Sequence, residues 1–302
     1  MRAFHSDDFV LPLPQGHRFP MEKYRLLRER VADDPHVTLS VPEAATNEAL
    51  ARVHGASYIE AVETGRLSPQ RIRQMGFPWS PGLVERSRRS VGGTVAAARA
   101  ALEDGTAANL AGGTHHAFPD RGEGFCVFND VAVAVRSLQA EGLVGRAVIL
   151  DLDVHEGNGT AAIFARDDTA FTLSVHGARN YPFRKEASDL DVALEDGAGD
   201  DVFLSAVDAG VAEALERGAD IVFYLAGADP YEKDRLGRLS VSKEGLKTRD
   251  RIVFETCRRR GLPVAVVMSG GYARRVEDTV DIHASTIRAA ARTPKAAEVV
   301  VP

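Results

Sequence analysis

The 302-residue chain carries 37 Lys and Arg against 43 Asp and Glu, a net charge of −6, with 44% hydrophobic residues. This is the composition of a globular protein, and its mildly acidic balance excludes tight binding to a nucleic-acid backbone, which needs clustered positive charge. Two cysteines, Cys126 and Cys257, exclude a disulfide framework and suit a reducing compartment.

The first residues, Met1 to Asp8, lack the apolar stretch of a signal peptide, and the longest apolar runs are only strand length. No membrane span and a cytoplasmic location are therefore expected. In chain order, a helix is predicted over residues 47–63. A second opens at Ser80-Pro81, with serine as N-cap and proline in the first turn, and stops near Gly105. A strand follows at 107–110, a helix at 129–141, and strands at 146–152 and 170–175. The pattern continues with a helix at 206–217, a strand at 220–226, a helix at 243–260 and a strand at 263–268. Short apolar runs rich in Val, Ile, Leu and Ala, alternating with amphipathic segments, predict an α/β fold. Its central, mainly parallel sheet is flanked by helices on both faces. No repeat or linker divides the chain, so one domain over 1–302 is expected.

Polar groups gather just past four of these strands. His115 and His116 follow 107–110; Asp153 and His155 follow 146–152; Asp229 follows 220–226; Tyr272 follows 263–268. In open α/β sheets the carboxyl edge of the strands is where ligands bind. Asp153, His155 and Asp229 together offer two carboxylates and one imidazole, a donor set that suits Zn2+ or Fe2+ with positions left open. Gly157 and Gly227 stand where a second metal would need ligands, so one catalytic metal is expected. Taken singly, the aspartates read equally well as helix caps and His155 as a solvated loop residue. The joint pattern favours a site.

His115 and His116 supply general acid–base groups, with Asp151 placed to orient one imidazole and Asn158 the other. Tyr272, behind two glycines, is the candidate donor to a developing oxyanion. The histidines at 5, 36, 54, 176 and 283 read as surface or packing residues, and Cys126 as a small buried apolar one.

Five segments carry a family resemblance: Gly112-Gly113-Thr114-His115-His116; Gly124-Phe125-Cys126-Val127-Phe128-Asn129-Asp130; Asp151-Leu152-Asp153-Val154-His155-Glu156-Gly157-Asn158-Gly159-Thr160; Ala226-Gly227-Ala228-Asp229-Pro230; and Ser269-Gly270-Gly271-Tyr272. In this order they resemble the zinc-dependent histone deacetylase superfamily. Gly16-His17-Arg18-Phe19-Pro20-Met21-Glu22-Lys23-Tyr24 and Gly76-Phe77-Pro78-Trp79-Ser80 look most like class IV deacetylases and their bacterial relatives.

The resemblance implies a single-domain arginase/deacetylase-like fold and hydrolysis of N-acyl amides, typically acyl-lysine in a protein or peptide. It implies Asp153, His155 and Asp229 as metal ligands, His116 as general base and acid, His115 as electrostatic partner, and Tyr272 as the carbonyl-polarising hydroxyl. It further implies that the Gly124 carbonyl accepts from the scissile amide N–H and that Phe125 and Tyr181 wall the acyl-lysine channel. Arg18 would line an exit route for the acid product, and Asp151 and Ser174 would hold a structural K+. Two positions depart from the commonest pattern. Asn158 stands where class I members carry aspartate, as in class II and IV relatives, and Glu156 replaces a histidine or glutamine. Class IV relatives are associated with long fatty acyl groups, which leaves acyl length open. Two alternatives stand beside this reading: deacetylation of small acylated amines such as acetylpolyamines, and a catalytically silent module that reads acyl groups.

Overall fold

The computed structural model describes residues 1–293; the predicted domain's last residues, 294–302, lie outside the described ones. Eight strands form one sheet: β1 (Arg2–Phe4), β2 (Thr38–Ser40), β3 (Thr106–Asn109), β4 (Ala147–Asp151), β5 (Ala170–Gly177), β6 (Leu190–Leu194), β7 (Ile221–Leu225) and β8 (Val264–Val267). Their order is β2-β1-β3-β8-β7-β4-β5-β6 and every pairing is parallel.

The helices are α1 (Glu22–Val31), α2 (Asn47–Ala51), α3 (Ala56–Thr64), α4 (Pro69–Met75) and α5 (Pro81–Asp104). They continue with α6 (Asp130–Ala140), α7 (Asn158–Phe164), α8 (Asp200–Glu216), α9 (Lys243–Arg259) and α10 (Val276–Ala291). Among the described residues, no helix is long and apolar enough to cross a membrane.

Two hydrophobic clusters sandwich the sheet, and the strands supply both by simple alternation. Val148 and Leu150 of β4, with Val222 and Tyr224 of β7, join the layer built by α1, α8, α9 and α10. Ile149, Ile221, Phe223 and Leu225 point the other way, into the layer of α3, α5 and α6. A strand with both faces covered is apolar at every position, which is why these were legible as unbroken runs.

The three strands that sequence patterning misses are β1, β2 and β6. The first two have three residues each, and β6 alternates partly covered and exposed positions at the sheet edge. The helix over 81–104 is bounded as expected: the Ser80 hydroxyl accepts from Leu83 N at 3.1 Å. The helix predicted earliest, over 47–63, is two helices. The Thr46 side chain caps the first, and the chain breaks at Gly55, whose N–H donates to the Pro119 carbonyl at 2.9 Å. α8 begins at Asp200, earlier than the predicted 206; Asp200 and Asp201 in its first turn suit a helix N-terminus, and Phe203 already packs into the core.

His54 anchors that break. Its buried ring donates from Nδ1 to the Phe118 carbonyl at 3.0 Å and accepts at Nε2 from Asn129 N at 3.0 Å. Asn129 in turn N-caps α6. Burial depresses the His54 pKa from 6.5 to about 4, so the folded chain holds this ring neutral where the unfolded chain protonates it. The stabilisation is therefore complete above pH 6.5 and is lost as pH falls towards 4, by about 3 kcal/mol from the linkage relation. Urea unfolding of wild type and His54→Gln at pH 7.5 and 4.5 checks this: the variant should lose markedly less stability on acidification.

Candidate metal centre and active site

The four strands that precede the candidate residues are neighbours, in the order β3-β8-β7-β4 at the middle of the sheet. Because all are parallel, their carboxyl ends share one edge, and the loops leaving them meet in a cavity of about 540 Å3. His115, His116, Asp153, His155 and Tyr272 line it; Asp229 sits behind, fully buried.

Asp153, His155 and Asp229 present ligand atoms that all lie within 4.8 Å of one another. His155 Nδ1 is 2.9 Å from Asp153 Oδ1 and 3.2 Å from Asp229 Oδ2. The remaining carboxylate oxygens are tied to the chain: Asp153 Oδ2 accepts from Ser269 Oγ and Gly270 N, each at 2.7 Å, and Asp229 Oδ1 accepts from Val154 N at 3.0 Å. Asp229 Oδ2 is buried without a well-formed hydrogen bond. An orphaned carboxylate oxygen costs several kcal/mol in a protein interior, and a divalent cation is the partner that satisfies it. Donor type, spacing and this orphaned oxygen all fit one Zn2+ or Fe2+ ion.

The two adjacent imidazoles differ through what stands behind each. His115 Nδ1 donates to Asp151 Oδ2 at 2.6 Å, whereas His116 Nδ1 donates to the neutral Asn158 Oδ1 at 2.7 Å. Burial alone would lower the His115 pKa, but Asp151 and Asp153 more than offset it and raise it to about 9. Burial, and then the neighbouring His115 imidazole, hold His116 well below the usual histidine range. The turn bearing both histidines is fastened by Asp130, which accepts from Gly113 N at 3.0 Å and Thr114 N at 2.7 Å.

Phe125 and Tyr181 both line the cavity, with Tyr181 edge-on to His116 at 4.9 Å between centroids. Phe125 sits at φ 67°, a strained backbone for a non-glycine residue, and is held by its N–H donating to the Met75 carbonyl at 2.9 Å. Gly124 precedes it, and a Cβ there would meet the His116 ring at 2.6 Å. Cys126 is buried and its thiol is pushed up by desolvation, as a packing residue should be. Asp151 and Ser174 face each other in register across β4 and β5, and Ser174 Oγ lies 2.9 Å from His176 Nδ1. Arg18 lies exposed at the cavity mouth. Glu156 is fully buried, accepts from Glu186 N at 3.2 Å, and is pushed by burial up to about 7.

Three further residues support the site without an individual role legible in sequence. Lys23, within the segment Gly16 to Tyr24 that carries the resemblance, is 2% exposed and donates to the Ser269 and Gly271 carbonyls at 3.3 and 3.4 Å. Its ammonium stands 5.3 Å from the centroid of the Tyr272 ring. Asp234 and Arg235, inside the charged run Glu232-Lys233-Asp234-Arg235, clasp Tyr272 from both backbone sides. Asp234 Oδ2 accepts the Tyr272 N–H at 2.6 Å, and Arg235 Nε donates to the Tyr272 carbonyl at 3.0 Å.

Comparison with known proteins shows the family and the fold. The family model of the histone deacetylase domain matches residues 17–287. An uncharacterised protein of Picosynechococcus sp. is 45% identical over 95% of this chain and 97% of its own length. A histone deacetylase-like amidohydrolase of Pseudomonas aeruginosa is 33% identical over 76% of this chain, which spans 64% of that longer protein. The crystal structure of an HDAC homologue complexed with SAHA superposes with a TM-score of 0.79, covering 96% of this chain and 84% of the other. At 23% identity that likeness speaks for the fold, which is the predicted arginase/deacetylase α/β fold. The chain therefore belongs to the histone deacetylase family.

Proposed function

We propose that the chain is a cytoplasmic, metal-dependent deacylase, one catalytic unit over 1–302, that hydrolyses Nε-acyl-lysine in a protein or peptide. The observation that carries this reading is the pairing of two dissimilar imidazoles with a carboxylate–imidazole–carboxylate trio in one cavity. The family membership and the amidohydrolase name of the Pseudomonas relative support it.

Zn2+ or Fe2+ held by Asp153, His155 and Asp229 would supply a Lewis acid to the acyl carbonyl and to the attacking water. Asn158 fixes the His116 proton on Nδ1, which leaves the Nε2 lone pair free to take a proton from that water. A histidine with a depressed pKa is neutral at physiological pH and ready for this task. As the C–N bond breaks, the same Nε2–H passes its proton to the departing amine, giving lysine and a carboxylate. His115, charged through Asp151, stabilises negative charge in the transition state and does not relay the proton. The Tyr272 hydroxyl donates to the developing oxyanion, and the Gly124 carbonyl takes the amide N–H. Phe125 and Tyr181 wall the acyl-lysine stem, Arg18 meets the substrate at the mouth, and Asp151 with Ser174 frames a K+ site. The motifs at 16–24 and 76–80 favour a class IV-like member.

Steady-state kinetics of the zinc- or iron-loaded protein on acetyl-, octanoyl- and myristoyl-lysine peptides test the proposal. Amine release from at least one is expected, and none from any, in a folded protein, would refute it. His116→Ala should lower kcat by about 10^3-fold or more, and His115→Ala should leave measurable turnover. Tyr272→Phe should cost about 10^2-fold in kcat, the scale of one lost oxyanion donor. Metal binding is tested apart from activity by Gly270→Ala. A Cβ there would stand 1.8 Å from Asp229 Oδ2 and 2.6 Å from Asp153 Oδ2. Competition against a chromophoric chelator should show loss of high-affinity zinc uptake while circular dichroism stays folded.

A further inference from the structure

The chain as a whole is acidic, at −6, but the mouth of the catalytic cavity is not. Four arginines line it: Arg18 from the segment before α1, Arg179 from the β5–β6 connection, and Arg235 and Arg238 from the loop after Asp229. All four are exposed, whereas the only carboxylate among the lining residues is Asp153, buried at the floor. Neutralisation of the four is incomplete. Arg238 pairs with Asp196 at 3.1 Å, and Arg179 reaches only Glu195 and Asp196, at 3.9 and 4.0 Å. Arg235 spends its hydrogen bonds on the carbonyls of Tyr272 and Arg18, and neither it nor Arg18 has a carboxylate partner among the described residues. Phe183, 89% exposed, adds an apolar surface to the same rim.

We infer that the rim selects acyl-lysine in an acidic sequence context, a refinement that rests on the deacylase reading above. The arginines stand at the exposed rim, while the reacting groups are buried at the floor. The anionic groups they meet must therefore flank the acyl-lysine along an extended chain. A peptide with aspartate or glutamate beside the modified residue meets that requirement, with its apolar neighbours free to lie on Phe183. A polyamine fails it, because its second ammonium would sit among guanidinium groups. Each exposed pair is weak, yet several of one sign act together on encounter rate and on the rejection of like charge.

The test uses metal-loaded full-length protein and acyl-lysine peptides of one length, flanked by Asp/Glu, by Ser/Gly or by Lys/Arg. At low ionic strength kcat/KM should be about ten-fold or more higher for the acidic than for the basic peptide, as a few exposed pairs allow. The gap should close near 1 M salt, where the screening length falls to about 3 Å. Arg18→Glu should cut the acidic preference several-fold with an unchanged melting temperature. Equal kcat/KM across the three peptides, or an unaltered preference in Arg18→Glu, overturns the inference and leaves the deacylase reading in place. Fluorescence anisotropy read in parallel separates the two ideas the other way: tighter binding of the acidic peptide without turnover of any peptide keeps the rim's selectivity and removes the deacylase function.

Discussion

The site hangs on one buried carboxylate. Asp153 is 1% exposed and gathers three donors: Ser269 Oγ and Gly270 N on one oxygen, and the backbone N–H of His155 on the other. Removing a charge from water is costly, and only a full set of donors or a cation makes it tolerable. By collecting those donors, Asp153 ties the loop after β4 to the loop after β8, and so sets the distance between the candidate metal ligands and Tyr272. Lys23, Asp234 and Arg235 then hold that second loop from outside.

The same crowding of carboxylates explains the glycines of the motifs. A Cβ at Gly227 would lie 2.6 Å from Asp153 Oδ2, and one at Gly157 would lie 2.4 Å from Asp151 Oδ2. Read in sequence, these glycines only mark positions without a ligand. In space, each is a gap that a carboxylate fills. Further back, fully buried Arg249 donates to the Gly227 carbonyl, and its partner Asp250 accepts from Tyr224 and from Thr286. This network sits under the loop that presents Asp229 and holds its backbone without touching the cavity.

Asymmetry between His115 and His116 comes from the carboxylates of Asp151 and Asp153, which outweigh burial at the first ring, while burial prevails at the second. Aspartate behind one ring and asparagine behind the other hold two adjacent imidazoles in different protonation states. The rings lie 4.1 Å apart, so a charge on one further discourages a charge on the other.

The sequence by itself determined the α/β class, the five interior strands, the bounds of α5, α6 and α9, and the clustering of polar residues past four strand ends. Interior strands are apolar on both faces and capping residues act locally, so both signals survive in one dimension. The short strands β1 and β2, the edge strand β6 and the break at Gly55 did not survive, because they depend on pairing or on a buried partner distant in the chain. Tertiary structure alone decided that β3, β8, β7 and β4 stand side by side, bringing His115 to within 2.6 Å of Asp151. It alone turned Lys23 inward and left the four arginines around the mouth. A charged side chain looks the same in sequence whether it faces water or a buried loop, and only the packing of elements far apart in the chain distinguishes the two.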